Sequence, residues 1–306
     1  MSATGFRQWT AGTLVAAGDA LGESALWDAR TQAVYWLDLL RPGLNRVAID
    51  GSGFRQTVLP MPPPLGMIAL GDHPGSLFLT ARGGLYRLDV DTGAASLLAD
   101  PSQGQTDIVF NDGKVDRAGR LWLGTSHALE SEPKGSLYMR SPDGSFRIAD
   151  SGFPVSNGPA FSRNGSILYF SDSVGRQILA YDVPAAGLPL LRRRVFAAFD
   201  EADGVPDGLT VDAEDCLWCA HWGGACVTRF APDGRRIGRV ELPVRLVTSC
   251  AFAGPGLETL VVTSARTTEP TDVKKSRPEE GSLFSCRPGV QGLLEIPVNE
   301  APSSHA

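Results

Sequence analysis

The chain has 306 residues, of which 42% are hydrophobic and 20% charged, as is typical of a globular protein with one large domain or two smaller ones. Its net charge of −6 comes from 28 basic and 34 acidic residues and leaves no broad basic field, so we expect no nucleic-acid partner. No apolar run approaches the roughly 18 residues of a membrane span, and residues 1–6 lack the pattern of a signal peptide, so we expect no membrane partner.

Strand-like runs with a mostly aromatic second residue recur through the whole chain. The runs are 34–38, 77–80, 121–124, 168–171, 217–220 and 260–263. Their second residues, at positions 35, 78, 122, 169, 218 and 261, are therefore 43, 44, 47, 49 and 43 residues apart. This interval is the length of a four-stranded blade, and six such units account for nearly all of the chain.

Turns and further strands complete the repeat. Four of the runs follow a segment containing Asp, Asn or Gly, residues that tolerate left-handed backbone and hydrogen-bond their own chain. These segments are 28–31, 116–119, 162–165 and 212–215. Third strands are predicted at 135–139 and 177–182, and no window of helical length has an apolar stripe with a period of 3.6 residues.

The repeats predict an all-β chain that folds as one six-bladed β-propeller domain, residues 1–306, with a pocket at its centre. The segment around Trp9 to Ala17 is expected to supply a strand to the last blade and so to close the ring. Closure of the ring would remove the exposed strand edges that an open sheet leaves.

Oxygen-bearing side chains recur at one register position of the repeat, five residues before the turn. The residues at this position are Glu23, Gly66, Asn111, Asn157, Asp207 and Ser249. In a propeller the position begins the innermost strand, so the six residues should form a ring around the central channel. Two carboxylates and two amides that face one another are costly to bury unless a cation or ordered water satisfies them.

This donor set suits a hard divalent cation on the axis. Because the six positions contain neither Cys nor His, Ca²⁺ is favoured, while Mn²⁺, Mg²⁺ and Zn²⁺ stay open since carboxylates accept them all. The competing interpretation is that Asp207, within Pro-Asp-Gly, belongs to a hairpin turn. The other Pro-Asp-Gly segments, at 142–144 and 232–234, follow third strands, whereas Asp207 precedes a first strand in register with Glu23. We therefore favour the interpretation that Asp207 is a ligand of the cation.

Six segments resemble the SMP-30/gluconolactonase family of regucalcin-like lactonases. They are residues 21–28, 111–116, 156–158, 206–212, 222–224 and 248–252, and the likeness runs over roughly residues 14 to 290. The resemblance implies a six-bladed propeller with one catalytic divalent cation. It also implies that Glu23, Asn157 and Asp207 bind this cation and that Asn111 contacts the substrate.

Two positions depart from the pattern of the sugar-lactone hydrolases in this family. Val109 stands where these enzymes usually have Arg, and Leu129 lies near the place of a Glu, with Glu130 one step on. Both missing groups would hydrogen-bond sugar hydroxyls, so the pocket is expected to take a less hydroxylated or differently substituted lactone. His127 is a candidate substrate contact in their place, and a structural or rim histidine is an equal alternative.

The expected activity is metal-dependent hydrolysis of a sugar-acid lactone or a related small-molecule lactone. The cation would polarise the lactone carbonyl, and Asp207 would orient or deprotonate the attacking water, as the resemblance implies. Two alternatives stay open: hydrolysis of a phosphotriester or another ester on the same metal, and a non-catalytic propeller that binds Ca²⁺ or a partner.

The cysteines bear on location rather than on chemistry. The chain has five, without the spacing of a disulfide framework, and Cys216 and Cys219 fall on one strand, where alternation directs them to opposite faces. Free buried thiols favour a reducing, cytoplasmic location. Residues 192–194 and 274–275 are the basic clusters and are interpreted as solvated. The sequence predicts neither an oligomeric state nor whether residues 267–281 cover the pocket.

Overall fold

The computed structural model describes residues 5–102, 104–266 and 277–300. Within these ranges the regular structure is β, apart from a single 3₁₀ turn at Glu201–Asp203. No helix in the described ranges is both long and apolar enough to cross a membrane. The strands form six sheets, five with four strands and one with five, so the predicted six-bladed β-propeller is confirmed.

The strand bounds follow the predicted repeat. The N-terminal strands are Arg7–Thr10 (β1) and Gly12–Val15 (β2). Blade 1 contains Gly22–Asp28 (β3), Ala33–Asp38 (β4), Gly43–Ala48 (β5) and Arg55–Val58 (β6). Blade 2 contains Leu65–Leu70 (β7), Ser76–Ala81 (β8), Gly84–Asp89 (β9) and Ala95–Ala99 (β10). Blade 3 contains Ile108–Val115 (β11), Leu121–His127 (β12), Gly135–Arg140 (β13) and Phe146–Phe153 (β14).

The second half of the chain repeats this plan. Blade 4 contains Ser156–Phe161 (β15), Ile167–Asp172 (β16), Gln177–Asp182 (β17) and Leu191–Ala198 (β18). Blade 5 contains Val205–Val211 (β19), Leu217–Trp222 (β20), Cys226–Phe230 (β21) and Arg236–Glu241 (β22). Blade 6 contains Val247–Ala253 (β23), Thr259–Ser264 (β24) and Leu283–Cys286 (β25).

The first strands of the blades line the axis, since each contacts the first strands of the two neighbouring blades around a closed ring. The predicted aromatic runs are the second strands β4, β8, β12, β16, β20 and β24. Their large side chains fill the layers between blades; Trp36, Trp122 and Trp218, for example, are fully buried. Burial of such side chains between sheets, at about 1.5–3 kcal/mol each, is the main force that holds the ring together.

Buried aspartates at the predicted turns fix the first two strands of a blade to each other. In blade 3, Asp116 accepts the backbone N–H of Ala118 at 2.8 Å and the indole N–H of Trp122 at 2.8 Å. In blade 5, Asp212 accepts the indole N–H of Trp218 at 2.8 Å. The aspartate therefore caps the turn and satisfies a buried donor that would otherwise be costly.

The N-terminal segment closes the ring as predicted, but only in part. Strand β2 pairs antiparallel with β25 and becomes the outer strand of blade 6. The prediction is wrong for Trp9 and Thr10, because β1 pairs parallel with β22 as a fifth strand of blade 5. Trp9 packs 5.7 Å from Trp218, on Gly238, where a Cβ atom would lie 2.6 Å from the Trp9 ring. Glycine at that position leaves room for the indole, and β1 covers the open edge of β22.

The C-terminal residues 290–300, which we call the strap, cross the face of the ring opposite the ligand positions. The Gln291 carbonyl accepts the N–H of Ala213 in blade 5 at 2.8 Å. Further along, the N–H of Val298 donates to the Leu70 carbonyl in blade 2 at 2.9 Å. The strap therefore ties together blades on opposite sides of the axis.

The remaining expectations concern thiols and charge. All five cysteines are free, and the prediction of buried free thiols holds for four of them, while Cys286 is partly exposed. Residues 192–194 lie on β18, the exposed outer strand of blade 4, as expected of a solvated basic cluster. Residues 274–275 and most of the segment 267–281 lie outside the described residues.

Candidate active site

The predicted ring of oxygen donors lies at a local irregularity that all six blades share. Every first strand loses its register with the second strand at this level, for instance between Glu23 and Leu26 and between Asn157 and Ala160. A β-bulge of this kind leaves residues unpaired and re-aims their side chains. Glu23, Asn111, Asn157 and Asp207 are thereby brought together on the floor of one cavity.

The two carboxylates of the floor are almost completely buried. Glu23 is 8% exposed and Asp207 is 5% exposed. Burial raises the pKa of Asp207 well above its usual value, and the negative charges of Glu23, Asp112 and Glu130 raise this pKa further. Burial likewise raises the pKa of Glu23, with a further contribution from Asp112, while the N–H of Ser24 donates to its Oε2 at 2.7 Å and acts in the opposite direction. The floor is thus an electronegative site.

The two amides of the floor are oriented by one hydrogen-bonded chain. Asn111 donates from Nδ2 to Asn157 Oδ1 at 2.6 Å and to the Ser156 carbonyl at 2.9 Å. Asn157 donates from Nδ2 to Ser173 Oγ at 3.0 Å, and Ser173 donates to the Pro206 carbonyl at 2.6 Å. The chain runs into the backbone next to Asp207 and leaves the second lone pair of Asn157 Oδ1 free for a ligand.

A small axial cavity of about 20 Å³ lies behind the floor. Asp112 and Lys114 line it from blade 3, and Glu295 of the strap lines it from the far end. Lys114 Nζ donates to Glu295 Oε1 at 2.6 Å, and burial raises the pKa of Asp112 to about 7. The ion pair and the strap close the channel at that end. Sequence reasoning missed Asp112, although it belongs to the same Asn-Asp-Gly motif as Asn111.

The loop before Asp207 is held by partly buried polar contacts. His221 Nδ1 lies 2.9 Å from the Asp203 carbonyl, and both Asp203 carboxylate oxygens accept from Arg236, at 2.7 and 2.6 Å. Burial lowers the pKa of His221 to about 4, so the ring is neutral and Nδ1 donates to the carbonyl. This histidine therefore has a structural role in the loop before Asp207.

The cavity above the floor has a volume of about 270 Å³. Its apolar wall consists of Leu21, Leu39, Val155, Val174, Val205 and Trp222. Glu130 also lines the cavity, whereas the side chain of Leu129, which the sequence places nearest to that position, is 80% exposed. Both residues lie in the turn that follows β12, and Glu130 adopts a positive φ of 53°, so strand alternation does not decide which of them faces the cavity.

His127 lies apart from these residues. It is buried and does not line the cavity. Its Nδ1 accepts the N–H of Glu132 at 3.2 Å and lies 3.2 Å from Ser131 Oγ, and Nε2 lies 3.6 Å from a Glu132 carboxylate oxygen. These contacts fix the loop that carries Glu130. A substrate contact by His127 stays a prediction.

The donor set fits a divalent cation by its chemistry. Among the described residues that line the cavity none is Lys, Arg or His, so the buried charges of Glu23 and Asp207 have no cationic partner there. The described residues contain no cluster of three Asp, Glu, His or Cys side chains, because the floor combines two carboxylates with amides. Carboxylate and amide oxygens are the ligands that Ca²⁺ prefers.

Comparisons with known proteins agree with this architecture. The model of the SMP-30/Gluconolactonase/LRE-like region matches residues 21–266. A 6-deoxy-6-sulfogluconolactonase from Pseudomonas putida is 33% identical over 276 residues, which cover 90% of this chain and 94% of that protein. An L-arabinolactonase from Azospirillum brasilense is 34% identical over 278 residues, covering 90% and 91% of the two chains.

A solved structure extends the comparison to the fold. The crystal structure of a calcium-binding protein, regucalcin, from Agrobacterium tumefaciens superposes with a TM-score of 0.88 at 26% identity. The superposition covers 96% of this chain and 99% of that one. Together with the family match over most of the sequence, this shows that the chain belongs to the SMP-30/gluconolactonase/LRE-like family.

Proposed function

We propose that this family member is a metal-dependent lactonase that hydrolyses a sugar-acid lactone or a related lactone to the hydroxy acid. One observation carries the proposal: two buried carboxylates, Glu23 and Asp207, meet the amide of Asn157 on the floor of an open cavity. The family contains proteins named as sugar lactonases, including the sulfogluconolactonase and the arabinolactonase, which supports the same reaction class for this chain.

The proposed cofactor is one divalent cation held by Glu23, Asn157 and Asp207. Ca²⁺ is favoured, and Zn²⁺, Mn²⁺ or Mg²⁺ would also suit these oxygens. When bound, such a cation supplies a Lewis acid that polarises a carbonyl group and stabilises the developing negative charge on its oxygen. The hydrogen bond from Asn111 fixes the Asn157 amide with its oxygen toward Asn111 and the cavity floor, so this ligand is oriented in advance.

Asp207 is proposed to act on water. Its carboxylate lies at the floor with no hydrogen bond from another side chain among the described residues, so an oxygen is available to orient a water molecule and accept its proton. The water oxygen forms a bond to the lactone carbonyl carbon, the ring C–O bond breaks, and the ring oxygen leaves as the hydroxyl of the product after taking up a proton. Asn111 and Glu130 line the same cavity and are proposed to contact the substrate.

Hydrolysis of a lactone panel tests this proposal. The protein is stripped with EDTA, each divalent cation is added back, and acid release is followed with a pH indicator on lactones from gluconolactone to simple γ-lactones. Glu23→Gln and Asp207→Asn should each lower kcat/KM by at least about 10²-fold. Asp233→Asn is the matched control, because Asp233 is the central residue of a second Pro-Asp-Gly segment, residues 232–234, and is exposed. No turnover of any lactone with any cation would refute the proposal and favour another ester or a non-catalytic role.

The location of the protein is proposed on the thiols. Four of the five free cysteines are buried and none is paired among the described residues, as expected of a reducing compartment. We therefore propose a cytoplasmic location.

A further inference from the structure

The cavity is divided into a polar floor and an apolar wall. The donors Glu23, Asn111, Asn157 and Asp207 lie in the first halves of the innermost strands, and the apolar side chains line the same cavity. Two members of the wall, Val174 and Trp222, are 53% and 37% exposed. Exposed apolar side chains that are continuous with a reactive floor are typical of a site that receives an apolar ligand group.

The two exposed members of the wall have fixed positions relative to the floor. Val174 follows Ser173, whose hydroxyl accepts from Asn157 and donates to the carbonyl next to Asp207. Trp222 ends β20 and pairs with Val205, two residues before Asp207. Val174 and Trp222 are attached to the backbone that positions the proposed metal-binding residues Asn157 and Asp207. The wall is therefore a rigid continuation of the reactive site.

The wall offers little to sugar hydroxyls. Ser173 already gives its hydroxyl hydrogen to the Pro206 carbonyl and accepts from Asn157. Above the floor, the side-chain groups of the described lining left for a sugar hydroxyl are therefore the Glu130 carboxylate, one Ser173 lone pair and the Trp222 indole N–H. A polyhydroxylated substituent held against such a wall would lose water from more hydroxyl groups than these few partners can satisfy.

The charges of the cavity also limit the substrate. The described lining residues include the carboxylates of Glu23, Glu130 and Asp207 and contain no Lys, Arg or His. A cation on the floor would balance Glu23 and Asp207, so Glu130 is the remaining charged side chain of the described lining. A sulfonate or phosphate held against the wall would meet this carboxylate without a cationic side chain among these residues to balance it. The wall therefore disfavours anionic substituents.

We propose that the substrate is a neutral lactone that carries an apolar substituent, which packs against Val174 and Trp222 while the lactone ring lies on the polar floor. This inference rests on the proposed lactonase function and specifies its substrate class. The wall is then the specificity determinant of the site: it gains contact area from an alkyl chain and rejects polyhydroxylated or charged substituents.

A series of γ-lactones tests the inference on the unmodified protein. With the substituent increasing from hydrogen to pentyl, kcat/KM should rise by about two- to fourfold per methylene until the wall is covered, since each buried methylene contributes up to about fourfold. Gluconolactone should be slower than the pentyl lactone, and a 6-sulfonated or 6-phosphorylated gluconolactone slower still. A flat or falling series, or faster turnover of the charged lactones, would overturn the inference.

Two matched variants locate the effect. Val174→Ala and Trp222→Ala should reduce the ratio of kcat/KM between the pentyl and the unsubstituted lactone, Trp222→Ala by at least about fivefold because it removes the larger surface. Val195→Ala should leave this ratio unchanged, because Val195 is equally exposed, at 57%, but lies on the outer strand β18. An unchanged ratio in Trp222→Ala would contradict the assignment of the wall.

Binding separates this inference from the proposed function. The corresponding γ-lactams resist hydrolysis, and their affinity can be measured by calorimetry with Ca²⁺ present. Affinity that rises with chain length and falls in Trp222→Ala supports the apolar subsite even if no lactone is hydrolysed, in which case only the proposed function fails. If lactones are hydrolysed but the lactam affinity does not change with chain length, the proposed function stands and the inference is refuted.

Discussion

Replacement of Asp207 by asparagine should change the stability of the protein in opposite directions with and without a cation. Glu23 and Asp207 are both buried, and the charge of each lies in the field of other carboxylates. Without a cation, Asp207→Asn removes one of these like charges, so the variant should unfold at a higher temperature than the wild type in EDTA. With a cation, the same change removes a ligand, so the variant should gain less from Ca²⁺.

The magnitude follows from ligand linkage and chain length. A ligand present at one hundred times its Kd stabilises the folded state by about 2.7 kcal/mol. With about 2.1 cal/mol/K of unfolding entropy per residue over 306 residues, this corresponds to a rise in Tm of about 4 °C for the wild type. If the loss of one ligand weakens binding by about a hundredfold, the stabilisation falls to about 0.4 kcal/mol and the rise in Tm to about 0.6 °C.

Differential scanning calorimetry in EDTA and in Ca²⁺ measures both effects. The control is Asp233→Asn, the equivalent change in another Pro-Asp-Gly segment. The control should melt like the wild type under both conditions, because Asp233 is exposed. The reasoning is refuted if Asp207→Asn melts below the wild type in EDTA and still gains the full shift in Ca²⁺, since Asp207 would then be neither a strained charge nor a ligand.

Three further changes probe the fold around the site. The pKa of His221 falls from 6.5 in the unfolded chain to about 4 on burial, so the wild type should lose up to about 3 kcal/mol as the pH drops through this window, and urea unfolding of His221→Phe should show a smaller pH dependence. Glu295→Gln removes the carboxylate that pairs with the partly buried Lys114 ammonium and should cost about 1–3 kcal/mol in urea unfolding, much of it restored by adding Lys114→Met. Trp218→Ala should cost about 3–5 kcal/mol by calorimetry, because it opens a cavity between blades 5 and 6 and removes the donor to Asp212; a loss below 1 kcal/mol would contradict its structural role.

The blades could be predicted from the sequence because their signal is local and repeated. A blade cannot bury both of its faces alone, so each must present large apolar side chains to its neighbours at the same register. The second strands with Trp36, Trp122 and Trp218 carry that signal. The turn aspartates add to it, since Asp116 and Asp212 are needed both for the turn and for an indole donor.

The ring of donors could be predicted by register, but its detailed orientation could not. Leu129 and Glu130 are consecutive, and spacing alone favours neither as the inward-facing residue. In the structure Glu130 lines the cavity from the turn after β12, where it adopts a positive φ that has no reliable sequence signal in glutamate. The bulge after each ring position is likewise a property of two paired strands and not of one segment.

Long-range pairing explains the other differences. Strand β1 lies about 230 residues before its partner β22 in the chain, and its parallel pairing depends on an uncovered edge and on the space that Gly238 leaves for Trp9. The strap has no periodic pattern, because each of its contacts with the blades is made once, such as the backbone hydrogen bonds of Gln291 and Val298 and the ion pair between Glu295 and Lys114. Neither feature repeats along the chain, so the periodicity that identified the blades contains no information about them.

Hydrogen bonds from side-chain hydroxyls of one blade to backbone carbonyls of the next determine whether the fold needs the cation. Ser171 Oγ of blade 4 donates to the Asp207 carbonyl of blade 5 at 2.8 Å, and Thr248 Oγ1 of blade 6 donates to the Gly22 carbonyl, next to Glu23, at 2.6 Å. The main chain beside both carboxylates is therefore fixed by protein groups alone. A zinc finger, by contrast, lacks an ordered site before the metal binds. The ring should accordingly fold without a cation, and the free energy lost by burying two like charges becomes available as affinity when the cation binds.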